Sequence, residues 1–237
     1  MSFLPFDYLV ISNQEFDSDT LQDTFSFFSS CGIRKFIFLL NFDRTIHTVS
    51  WIKDRKKLLE QSLRKLHSKG LIVSSFLNLE LTDGIVYDPM IDRLILNHSS
   101  FLFVQLPLFC DDPWIDANLN HLLYKKKIPL VLTSFEENIH TNSQIRIEQI
   151  LQSNAYYISL DLNYITALDS ELCLKRIISR EISVLPCISH HLSNYVGVVA
   201  AFDHLKDRLG TPVYQNLCRN FLNAEKTFFS HHYYCTK

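Results

Sequence analysis

The sequence predicts an α/β protein folded as a single, incomplete (β/α) barrel of about seven units, with mainly parallel strands. Three observations carry that expectation. Short apolar runs alternate with helical patterns along the chain. The runs are near-continuous rather than alternating, which is how a strand reads when both of its faces are buried. Only 5 of the 237 residues are glycine, and none forms a Gly-rich turn after the first strand, which excludes a Rossmann site or a P-loop. Barrels of this length commonly fold as one unit, so residues 1–237 are expected to form one domain.

The elements follow in order. Tyr8–Ile11 is too short for a buried helix and suits a first strand. Leu21–Cys31 has helical spacing, with Gly32 where a helix C-cap belongs; its aromatic run Phe25, Phe27 and Phe28 is explained by core packing. Phe36–Leu40 is the second strand. Trp51–Lys69 is a long amphipathic helix that ends at Gly70. Leu71–Val73 opens a third strand running toward Leu81, and a short helix is expected over Pro89–Leu96. Strands are then expected at Phe101–Leu106, Ile128–Leu132, Tyr156–Leu160 and from Ile182 to Leu185. The helices between them are Trp114–Lys126, Ser143–Leu151 and Asp169–Ser179, with Asp169 as the cap of the last. Two closing helices span roughly Tyr195–Leu209 and Pro212–Ala224. Strands separated by helices pair in parallel through right-handed crossovers.

Composition narrows the function classes. The formal net charge is -2, so there is no bulk electrostatic case for nucleic acid or an anionic membrane. Lys125-Lys126-Lys127 reads as the solvated end of a helix rather than a phosphate patch. The 6 cysteines are dispersed without C-x-x-C spacing, which argues against a zinc ribbon or a thioredoxin-type site. The N-terminus has no signal-peptide pattern, and no apolar run approaches the length of about 18 residues that a membrane helix needs. The cytoplasm is the expected location.

In a β/α barrel, chemistry sits just past the C-terminal ends of the strands. There the sequence places Ser12 and Gln14, Asn41 and Asp43, Glu80, Gln105, Ser134 with Glu136 and Glu137, Asp161, and His190 with His191. This rim is polar but poor in metal ligands, since amides and hydroxyls bind divalent ions weakly. Adjacent histidines on an extended segment point in different directions, so His190 and His191 rarely share one ion. No G-x-S-x-G elbow marks a serine nucleophile. Cys187 near His190 lacks a group that would lower its pKa.

Several segments fall into a familiar order. Ile128 to Asn138 includes Thr133-Ser134-Phe135-Glu136-Glu137, Ile150 to Leu160 follows, and Leu185 to His191 closes the series. Upstream lie Val10 to Phe16, Gly32 to Asn41, and Leu79 to Asp83. Their order and spacing resemble the polymerase-and-histidinol-phosphatase (PHP) proteins, in the branch of manganese-dependent tyrosine-protein phosphatases from bacterial capsule and exopolysaccharide clusters. The resemblance implies a PHP/TIM-type barrel with a metal cluster at its mouth. It also shows where this chain departs. Ser12 and Gln14 replace the family's first histidine pair, Asn41 and Ser134 replace two further histidines, Glu137 replaces an arginine, and Ile188 replaces an aspartate. Glu80 and His190 alone remain as ligand types.

The resemblance thus implies a catalytically degenerate phosphatase homologue, a pseudoenzyme with no cofactor, acting as a binding or regulatory protein. By analogy its partner would be a bacterial tyrosine kinase or a polysaccharide-synthesis protein. Two alternatives remain open. One is an active phosphoesterase holding manganese or another divalent metal in a rearranged site of Glu80, His190, His191, Asp43 and Glu136. The other is a barrel that binds a sugar or another small molecule.

Overall fold

Seven strands close into a barrel in the order β1 to β7: β1 Tyr8–Ser12, β2 Lys35–Phe42, β3 Ile72–Glu80, β4 Leu102–Gln105, β5 Leu130–Thr133, β6 Tyr156–Asp161 and β7 Val184–Ile188. Every neighbouring pair is parallel, and β7 pairs back with β1 through Val10↔Cys187 and Ile11↔Ile188. The structure, a computed structural model, describes residues 4–12, 18–43, 47–48, 50–54, 57, 70–89, 101–107, 112–125, 129–133, 156–167, 170–188 and 195–229. Closure removes both sheet edges, and the apolar strands are buried on both faces as the sequence pattern predicts.

The helices are α1 Ser18–Ser30, α2 Pro113–Asn120, α3 Leu162–Thr166, α4 Glu171–Ser179, α5 Tyr195–Leu209 and α6 Thr211–Phe229. Residues 50–54 and 57 are also helical, at the start of the expected Trp51–Lys69 helix, and Pro89 is helical at the start of the next. The rest of those two helices, and all of Ser143–Leu151 and Asp169, lie outside the described residues. Helix α1 buries Phe25 and Phe28, and Phe25 packs edge-on against Phe36 with ring centroids 4.6 Å apart, so the aromatic run is core. Its C-terminus closes in a Schellman pattern: Ile33 N donates to Phe28 O and Gly32 N to Ser29 O, with Gly32 at φ 97. None of the described helices is long and apolar enough to cross a membrane.

Several boundaries differ from the sequence expectation, and one short helix is additional to it. Strand β5 starts at Leu130 rather than Ile128, because Pro129 has no N–H for the ladder; its carbonyl accepts from Leu102 N at 3.1 Å. Strand β7 begins at Val184 and extends to Ile188, since the reversal after α4 occupies Arg180 to Ile182. Helix α3 was not expected: Asp161 accepts a hydrogen bond from Asn163 N at 2.8 Å and starts a single buried turn. Helix α2 is shorter than Trp114–Lys126 and passes into a π-helical turn over His121–Lys125.

The end of α6 closes the N-terminal mouth of the barrel. Phe228 stacks among Phe76, Phe101, Phe103 and Tyr157, with centroids 4.3 to 6.2 Å away. Beside it, Lys35 is paired with Asp7 at 2.9 Å and with Glu225. Burial pushes the Lys35 ammonium down, but the hydrogen bonds and charges of Glu225 and Asp7 outweigh it, so its pKa stands above the ordinary value. The fold therefore seals one end of the barrel and leaves polar chemistry to the other.

Candidate functional site at the C-terminal mouth

Strand alternation sets which residues face inward. Ser12 ends β1, Asn41 lies near the end of β2 and is the register partner of Asn78 on β3, and Thr133 ends β5. These four side chains form one hydrogen-bonded chain. Ser12 Oγ donates to Asn41 Oδ1 at 3.5 Å, Asn78 Nδ2 donates to the same oxygen at 2.7 Å, and Thr133 Oγ1 donates to Asn78 Oδ1 at 3.0 Å. The last bond passes over β4, which places it on the inner face of the barrel. Asn78 and Thr133 are buried, so the amide orientation is held by the network.

Glu80, two residues beyond Asn78, ends β3 on the same face, in register with Gln105. Partial burial, and then the charge of Asp43, raise its pKa above the usual carboxylate value. Asp43 directly follows β2. Its backbone N–H donates to His47 Nδ1 at 3.1 Å, and the His47 ring stacks on Trp51 at 3.7 Å. His47 is thus engaged by both Asp43 and Trp51.

Ser12 and Glu80 end their strands and Asn41 lies one residue before the end of β2, all three on the inner face. Ile188 is not on it: by register it lies beside Ile11, on the face opposite Val10 and Ser12, and is buried against the outer layer. On β7 the inner face carries Leu185 and, nearer the C-terminal mouth, Cys187. Gln14, Ser134, Glu136, Glu137, His190 and His191 lie outside the described residues. Sequence reasoning missed Asn78, Thr133 and Ser159. The first was signalled by its position two residues before Glu80 on one strand, and the second by its place at the end of an apolar run.

The donor chemistry tests whether a metal cluster suits this mouth. A divalent ion wants carboxylates or imidazoles with free lone pairs. Here Asn41 Oδ1 and Asn78 Oδ1 already accept hydrogen bonds from neighbouring side chains. Among the described residues, no three His, Cys, Asp or Glu side chains come together. The described donors do not fit a manganese cluster.

Similarity to known proteins appears in three dimensions. No family model matches the sequence, and no curated protein matches it significantly. A chain from the crystal structures of YwqE from Bacillus subtilis and CpsB from Streptococcus pneumoniae, described as unique metal-dependent tyrosine phosphatases, superposes with a TM-score of 0.62. The match covers 86% of this chain and 88% of that one at 14% identity. This chain has the PHP barrel fold. The histidinol phosphate phosphatase of Lactococcus lactis subsp. lactis, solved with zinc, L-histidinol and phosphate, agrees at a TM-score of 0.52 and 9% identity, over 86% of this chain and 93% of that one. Both PHP neighbours are phosphatases.

Proposed function

We propose that this chain is a PHP-type phosphatase homologue that has lost its catalytic chemistry and serves as a binding or regulatory protein. One observation supports the reading above all: the inner rim carries a neutral, mutually bonded chain of Ser12, Asn41, Asn78 and Thr133. A metal-dependent phosphatase lowers its barrier by neutralising the phosphoryl oxygens and by generating hydroxide from bound water. Amides and hydroxyls bonded to one another do neither. In sequence, Glu137 stands where the family carries an arginine, and a carboxylate repels a phosphate dianion. By the same resemblance, the protein would act in the cytoplasm on capsule or exopolysaccharide synthesis, with a tyrosine kinase or a polysaccharide-synthesis protein as its partner.

A second reading is favoured by one observation, the electrostatic coupling of Glu80 to Asp43. Two carboxylates close together can share a divalent ion. On that reading the chain is an active phosphoesterase with a rearranged site. Elemental analysis of protein purified without chelator separates the two. The leading reading expects well under one equivalent of manganese, iron or zinc per chain. Two or more equivalents would transfer the argument to the rearranged site.

A further inference from the structure

The mouth of the barrel has hydrogen-bonding capacity left over once its internal network is satisfied. Asn41 uses Oδ1 twice, and neither N–H of its amide meets a partner among the described residues. Asn78 uses one N–H toward Asn41 and accepts once from Thr133. The hydroxyls of Ser12 and Thr133 spend their only hydrogens inside the network, which leaves their lone pairs available. Ser159 adds an independent signal. It is 2% exposed, and its Oγ has no hydrogen-bond partner among the described residues. The register Leu132↔Ile158 sets Ser159 beside Thr133, and Asp161↔Cys187↔Val10 puts this side of β6 on the inner face. A buried hydroxyl without a partner destabilises a fold, so it calls for a group that supplies the bond.

We propose that this mouth binds the ring of a neutral carbohydrate through Ser12, Asn41, Asn78, Thr133 and Ser159. The proposal deepens the binding-protein reading and rests on it. The leftover groups are donors and acceptors in mixture, with no cation among them. A phosphate dianion prefers donors and positive charge, while a metal ion prefers acceptors and negative charge. A sugar hydroxyl donates and accepts at once, so a mixed amide and hydroxyl surface suits it. Glu80 and Gln105, on the same face at the ends of β3 and β4, extend the polar surface outward.

Saturation-transfer NMR on the full chain tests this with three probes: methyl α-D-glucopyranoside, methyl β-D-galactopyranoside and the methyl glycoside of N-acetylglucosamine. At least one should receive magnetisation, and excess inorganic phosphate should not displace it. Ser159→Ala and Thr133→Val should each weaken that probe by about fivefold or more, the loss of one hydrogen bond. Ser159→Ala should also melt at the same temperature as the wild type or higher, which a structural role for the hydroxyl would not allow. Silence from all three glycosides, displacement by phosphate, or unchanged binding in both variants would each overturn the proposal. Manganese-dependent phosphatase turnover would instead refute the loss of catalysis, so the two failures are distinguishable.

Discussion

Thr133 is the residue on which the inner network turns. Its hydroxyl is the donor that satisfies the buried Asn78 Oδ1. Replacing it with the near-isosteric valine strands that oxygen, so Thr133→Val should cost about 1–2 kcal/mol in chemical denaturation. Ser159→Ala removes a hydroxyl that meets no partner among the described residues and should cost nothing. Glu80 titrates in the opposite sense to a paired carboxylate. Its folded pKa lies above the unfolded value, so the charged form is disfavoured in the fold, and stability contributed by the protonated form is lost as pH rises past the ordinary glutamate range of about 4.3. Glu80→Gln should therefore melt above the wild type at pH near 7, with the gap shrinking at pH near 4. Melting curves at the two values check the sign. Glu80 was legible from sequence because it is a charge at the end of an apolar run. Asn78 had only its spacing of two residues from Glu80 to mark it, and an amide inside an apolar run takes on meaning only once the register is known.

Two helix ends show how the elements are held. Helix α4 closes with the same hydrogen-bond pattern as α1, Ile182 N to Ile177 O and Glu181 N to Ile178 O, but with Glu181 at φ 57 where α1 has Gly32. A side chain in the left-handed region is strained, so Glu181→Gly should raise stability by up to about 1 kcal/mol. A drop in the denaturation midpoint would contradict that. Helix α3 is clamped from α5: Arg208 Nη1 donates to Thr166 O at 2.7 Å and Nη2 to Ala167 O at 2.6 Å. Arg208→Ala should cost about 1–3 kcal/mol, and Arg208→Lys should recover only part, since an ammonium cannot reproduce the planar fork. The strands were legible because each is a short apolar run bounded by polar residues. Helix α3 was not, because a five-residue turn gives too little periodicity to detect and is held largely by a cap and a distant arginine.

At the scale of the whole molecule, the two ends of the barrel differ in kind. The N-terminal mouth is sealed by Phe228 and by the pairing of Lys35 with Asp7 and Glu225. The C-terminal mouth carries the polar network. Barrel closure could be read from the sequence because parallel apolar strands leave few other ways to bury both faces. The inward geometry of the mouth could not, because a shift of one residue moves a side chain to the other face, as Ile188 demonstrates. The neighbours with this fold include metal-dependent tyrosine phosphatases, whereas the proposed function of this chain is one without phosphatase turnover. The direct measurement is hydrolysis of p-nitrophenyl phosphate and of a phosphotyrosine peptide by the full chain with added manganese. No rate above that of buffer with manganese is expected. Metal-dependent turnover of either substrate that Glu80→Gln abolishes would contradict it.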